Sequence, residues 1–194
     1  MSERGKKRFL AISEDIITEA MNISEKVGIP FTTLIERALS DVFKVMKYKP
    51  QLIDALSYAD AVDDIRKLGG IVIPMTFFKK NIEKLSDKEL EDLANELYKM
   101  SLWYGELAKV KRGISVDELK RAISLWIPSS NIEVIENGSE MKIIVSLLDA
   151  NDKVLSVSKR IIEGLLEGFD LKVKEISLGN SLIIAKVHGK IEEK

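Results

Sequence analysis

The sequence predicts an α+β protein in which the helices come first and an antiparallel sheet comes last. Apolar residues recur every three or four positions through most of the first 127 residues, which is the spacing of amphipathic helices. The last third instead carries short strand-like runs around two turn signals, Asn137-Gly138 and Gly179-Asn180.

The first elements are a short strand and two helices. Lys7 to Ile12 is the strand candidate, and Ser13 is a favourable N-cap for the helix after it. Gly28 is typical of the residue that follows a helix, and Pro30 suits the start of a second one. The apolar stripe of that second helix continues to Met46.

A break at Tyr48-Lys49-Pro50 predicts a boundary between a domain at 1–48 and a larger domain at 49–194. Beyond it, Gln51 to Leu68 has a helical pattern that Gly69-Gly70 ends. The Ile71 to Pro74 segment is interpreted as either a short buried strand or an extended link.

Two capping boxes introduce the next helices. Ser86 with Glu89 precedes a long helix to about Lys111, and Ser115 with Glu118 precedes a shorter one. The long helix has an apolar seam that could form an antiparallel coiled coil between subunits or pack within one chain. The seam consists of Leu90, Leu93, Leu97, Met100, Tyr104 and Leu107.

The C-terminal third is predicted as an antiparallel ββαββ unit with one helix to cover its sheet. The strands are Ile132 to Glu136, Met141 to Leu148, Leu171 to Leu178 and Leu182 to Val187, and the helix is Lys153 to Phe169.

The N-terminal part resembles the ribbon-helix-helix family of repressors, the Arc, MetJ and CopG type. The matching runs are Lys7-Arg8-Phe9-Leu10-Ala11-Ile12-Ser13-Glu14-Asp15-Ile16 and Gly28-Ile29-Pro30-Phe31-Thr32-Thr33-Leu34-Ile35-Glu36-Arg37-Ala38-Leu39. The resemblance implies a dimer whose paired strands enter the major groove of double-stranded DNA, and hence a transcription regulator.

The resemblance also implies a map of DNA contacts. Lys7, Phe9 and Ala11 would point into the groove, with Leu10 and Ile12 facing inward. The family usually has polar side chains at the outward positions, whereas Phe9 and Ala11 offer only apolar contact to a thymine methyl group.

Phosphate contacts complete this map. Lys6 and Arg8 would attract the DNA backbone, and free N–H groups near Thr32 and Thr33 would hold a phosphate. Residues 1–50 carry a net charge of +2, although the whole chain has a net charge of −1. A local basic patch can bind phosphate even in a nearly neutral protein.

Composition and the lack of known motifs limit which kinds of function and cellular location are expected. The absence of cysteine excludes disulfides, thiolate metal sites and cysteine nucleophiles. We find no catalytic constellation or cofactor motif, so neither an enzyme nor a bound cofactor is expected. Without a long apolar run, the chain is predicted to be cytoplasmic and not membrane-bound. Its many Lys, Glu and Ile residues suggest a thermophile.

Three further groups of residues could form a functional site, but each also has a purely structural interpretation. His188 is expected to be a surface or edge residue. Asp60, Asp63 and Asp64 could bind a cation, but a solvated acidic helix face is the favoured interpretation. Four aromatic residues could wall a ligand pocket, although core or dimer contacts are favoured for Phe77, Phe78, Trp103 and Tyr104.

A second functional hypothesis remains open. The C-terminal domain could bind a metabolite or a protein while the N-terminal segment only dimerises the chain. Under the first hypothesis, the same C-terminal domain would sense an unidentified small-molecule effector or extend the dimer.

Overall fold

The computed structural model describes residues 11–48, 52–127, 129–148, 150–189 and Ile191. It is a mixed α+β structure with helices first and one four-stranded antiparallel sheet last. The chain divides into two compact units, with the division along the sequence between Leu56 and Ser57. No helix in the described part of the chain is both long and apolar enough to span a membrane.

The first unit contains the helix pair expected after the strand. Helix α1 spans Glu14–Val27 and α2 spans Phe31–Met46. Gly28 joins them with φ of 68°, a conformation that strongly favours glycine. The Ser24 hydroxyl reinforces the turn by donating a hydrogen bond to the Ile29 carbonyl oxygen at 2.6 Å.

The predicted strand ahead of α1 is not part of the described structure. Positions 7–10 lie outside the described residues, and Ala11 and Ile12 lead into α1 without forming a strand. A ribbon that pairs between two subunits has no partner within one subunit, so a single chain offers no hydrogen-bond partner for it. The ribbon therefore remains a prediction.

Between α2 and the first strand of the sheet, the described residues form four helices. They are α3 at Leu52–Lys67, α4 at Met75–Ile82, α5 at Asp87–Arg112 and α6 at Val116–Trp126. Helix α4 was not predicted, because its short apolar pattern follows directly on the Ile71 to Pro74 segment. That segment is an exposed link rather than a buried strand, since Ile71 is 80% and Val72 is 85% exposed.

The sheet and its helix complete the second unit. The strands are β1 at Ser129–Asn137, β2 at Glu140–Leu147, β3 at Lys172–Gly179 and β4 at Leu182–His188, and α7 spans Asp152–Gly168. The order in the sheet is β1-β2-β4-β3, with every pair antiparallel. The predicted ββαββ unit is therefore confirmed.

One face of the sheet and both sides of α7 form the core of the second unit. Alternate residues of the central strands are buried, including Ile143, Val145 and Ile183. Helix α7 is buried along most of its length because α5 packs on it as well. The edge strands β1 and β3 each contain a register shift.

Glycines allow α5 and α7 to approach backbone to backbone. A Cβ atom on Gly164 would lie 2.2 Å from the Ser101 Oγ, and one on Gly168 would lie 2.4 Å from the Leu102 carbonyl oxygen. Gly105 faces the same contact from α5. Leu90, Leu93 and Leu97 of the α5 seam pack against the core of this unit, and Tyr104 is buried in it, so these seam residues pack within one chain, one of the two alternatives.

Candidate functional site

The described part of the first unit has little core of its own. Between positions 11 and 48, no large apolar side chain is fully buried, and Ser24 is the buried residue. Several apolar residues of α1 and α2 are exposed instead, including Ile16, Val27, Leu39 and Phe43. The described helix pair therefore presents an apolar surface rather than a closed core of its own.

The start of α2, where the phosphate contact was predicted, has neither a side-chain cap nor an acidic first turn. Thr32 and Thr33 are exposed in the first turn, whereas the first α2 bond runs from the Leu34 N–H to the Pro30 carbonyl oxygen at 2.9 Å. Helix α1 differs, because Glu14 lies in its first turn and would repel a phosphate.

The other predicted DNA contacts divide into two groups. Ala11 is exposed just ahead of α1, on the same unit as Thr32 and Thr33. Lys6, Lys7, Arg8 and Phe9 lie outside the residues that the structure describes.

No family model matches the chain. No curated protein matches it either. The ribbon-helix-helix resemblance therefore depends on the residues and their order alone.

Of the three aspartates of α3, Asp60 and Asp63 are exposed as expected of a solvated face, whereas Asp64 is buried. Asp64 is 1% exposed and receives hydrogen bonds from the Lys111 Nζ at 2.7 Å and the Arg112 Nη1 at 2.8 Å. Asp60 accepts from the same two cations, whereas Asp63 pairs with Lys67 on the surface. Within the described residues, no group of His, Cys, Asp or Glu could hold a metal ion.

Arg112 is the centre of a larger network. Its Nε donates to the Glu118 Oε1 at 2.7 Å, and Glu118 also accepts a hydrogen bond from Arg121. Glu118 completes only half of the predicted capping box, because its side chain bonds these arginines while its N–H donates to the Ser115 Oγ at 3.1 Å. The network ties α3, the end of α5 and the start of α6 together.

Hydrogen bonds and burial set the protonation states of Asp64 and Tyr104 in and beside this network. Burial acts to raise the pKa of Asp64, but hydrogen bonds from Lys111 and Arg112 outweigh it and lower that pKa. Burial also raises the pKa of Tyr104 to about 12, so its phenol stays protonated near neutral pH. The network is a structural clamp between α3, α5 and α6, built around the Asp64 carboxylate, which stays ionised near neutral pH.

The remaining candidates do not converge on one site. Trp103 is 55% exposed on α5, whereas its neighbour Tyr104 is buried with its ring centroid 5.8 Å from that of Trp126. Phe77 is exposed, and Phe78 packs against the core. His188 is exposed at the end of β4.

Proposed function

We propose that the chain is a DNA-binding transcription regulator that acts as a dimer through its N-terminal ribbon and helix pair. The exposed apolar faces of α1 and α2 support the proposal most strongly. A second copy would bury these faces and would supply the missing strand partner for residues 7–12 in the same step. Dimerisation and formation of the DNA-reading ribbon are then one event.

The charge distribution favours DNA as the partner of this dimer. In the proposed dimer, Lys6, Lys7 and Arg8 would put three cations at or just before the start of each ribbon strand, and the uncapped start of α2 would offer N–H groups at Thr32 and Thr33. Ribbon and helix start would contact the groove and a flanking phosphate together.

The test is a gel shift of the full-length protein on a nonspecific 30-base-pair duplex at several salt concentrations. The logarithm of the affinity should fall linearly with the logarithm of the salt concentration, by about 0.9 for each phosphate contact. The triple variant Lys6→Ala, Lys7→Ala, Arg8→Ala should lose most of this slope and remain a folded dimer.

The matched control removes three exposed lysines from the same unit, Lys26→Ala, Lys44→Ala and Lys47→Ala. This variant has the same net charge as the triple variant but keeps the basic strand. Equal loss of affinity in both variants would mean that net charge alone drives binding. A dimer that shifts no duplex at low salt would instead favour the module in which the N-terminal segment only dimerises.

A further inference from the structure

A groove of about 360 Å³ lies between the N-terminal halves of α5 and α7. The two helices touch at Gly164 and Gly168, so the groove lies on the N-terminal side of their closest approach. Leu90 and Ala94 line its apolar part. Its volume falls at the lower end of the range for sites that bind small molecules.

Both walls of the groove are polar and follow helical spacing. Asp87, Glu91 and Asn95 stand four residues apart on α5, and Ser156 and Arg160 stand four apart on α7. Residues with this spacing share one helix face, so the sequence itself directs five polar side chains into the same space.

Arg160 is held in position before any ligand arrives. Its Nη2 donates to the Asn95 Oδ1 at 3.1 Å, its Nη1 bonds Glu163, and its guanidinium carbon lies 4.4 Å from the centroid of the Tyr98 ring. A guanidinium has five N–H donors, and these two hydrogen bonds leave donors over for a carboxylate. A positioned arginine binds carboxylates with little loss of entropy.

The opposite wall has an excess of negative charge. Asp87 and Glu91 are exposed, and neither has an ion pair among the residues that the structure describes. The groove therefore presents two carboxylates, unpaired within the described residues, across from a guanidinium that also pairs with Glu163 beyond the groove lining. The complementary ligand carries one carboxylate and two cationic groups.

We propose that this groove binds a free basic amino acid of the L-lysine type. The ligand carboxylate would bind Arg160, and its two ammonium groups would pair with Asp87 and Glu91. The role of such a ligand as an effector rests on the proposed DNA-binding function, but its binding does not.

The test is calorimetric titration of the full-length protein with L-lysine, L-norleucine and 1,5-diaminopentane, without DNA. L-norleucine lacks the second ammonium group and 1,5-diaminopentane lacks the carboxylate, so each should bind at least tenfold more weakly than L-lysine. Arg160→Gln and Glu91→Gln should each weaken L-lysine binding about tenfold. The matched controls Arg66→Gln and Glu96→Gln should leave it unchanged.

Arg160 also supports Tyr98, so a second variant is needed that does not disturb this contact. Ser156 is exposed at the groove, and Ser156→Phe should block it while the circular dichroism spectrum stays that of the wild type. Absence of heat with L-lysine overturns the proposal, as does binding that survives both Arg160→Gln and Ser156→Phe. If the protein binds L-lysine but shifts no duplex, the proposal of a ligand site in the groove is supported and the proposed function as a DNA-binding regulator is contradicted.

Discussion

The Nη1 atom of Arg112 lies 2.8 Å from the Oδ2 atom of Asp64, whose side chain is only 2% exposed. The pair joins the end of α5 to α3. Without the Asp64 carboxylate, Arg112 keeps Glu118 and Asp60 as partners but loses its most deeply buried one, which costs more than losing a surface pair.

Asp64→Asn should therefore lower the free energy of unfolding by about 3 kcal/mol. Denaturant unfolding followed by circular dichroism measures this loss. The control is Asp63→Asn, one residue earlier on α3, where the carboxylate pairs with Lys67 on the surface. Similar midpoints for the two variants would contradict the clamp.

The Asp64 carboxylate should also make the stability of the folded protein depend on pH below 3.8. The pKa of Asp64 in the folded chain is below its usual value of 3.8. Its contribution is therefore complete above pH 3.8 and is lost as the pH falls through the folded pKa. Below pH 3.8, unfolding midpoints of the wild type should drop more steeply than those of Asp64→Asn. Parallel curves for the two proteins would rule out this linkage.

Gly164→Ala should destabilise the second unit strongly. The added methyl group would lie 2.2 Å from the Ser101 Oγ and 2.4 Å from the Tyr98 carbonyl oxygen, so the two helices must move apart. We expect a loss of about 3 kcal/mol in thermal or denaturant unfolding. Gly179→Ala is the control, because its methyl group would find its nearest neighbour, the Leu182 Cβ, at 3.9 Å.

Leu39→Glu should turn the proposed dimer into a monomer with a less helical first unit. Leu39 is 42% exposed on the apolar face of α2, and a charge there would be buried by the second copy. Sedimentation equilibrium measures the outcome. Ser40→Glu adds the same charge one residue later, on the polar face, and should remain dimeric. If both variants sediment as the wild type does, the apolar face is not the dimer contact.

Thr33→Asp separates DNA binding from folding. An aspartate in the first turn of α2 favours the helix, so the variant should unfold at the same or a higher temperature. The added negative charge should nevertheless weaken duplex binding about tenfold, because it repels the phosphate expected there. Thr18→Asp within α1 is the control. Unchanged duplex affinity in Thr33→Asp would remove the helix start from the proposed interface.

The parts of the fold that could be predicted are those set by short sequence motifs, such as helix caps and turns. Ser86 with Glu89, the turn at Gly28 and the two hairpin turns each act over a few residues, and the helices and strands they delimit are observed. The strand predicted ahead of α1 stays a prediction, since its hydrogen bonds are expected to form with another subunit. Helix α4 has eight residues, which is too short for its periodicity to stand out.

The candidate sites depended more on tertiary contacts. Asp60 and Asp64 have the spacing of a shared acidic face, and the sequence alone could not show that Lys111 and Arg112 come from α5 to neutralise them. Glu118 was predicted as a capping residue, but a buried guanidinium competes better for its carboxylate. The groove was missed because its two walls are far apart in the sequence, with 65 positions between Asn95 and Arg160.

The irregular outer strands of the sheet restrict how copies of this protein can join. Each outer strand breaks its pairing register, and Lys172, Lys174 and Glu175 follow one another closely on β3, while Glu133 and Glu136 lie on β1. Adding a further strand to either side would bring unmatched charges against a kinked backbone. Growth into a continuous sheet or fibre through either edge of the sheet is thereby discouraged.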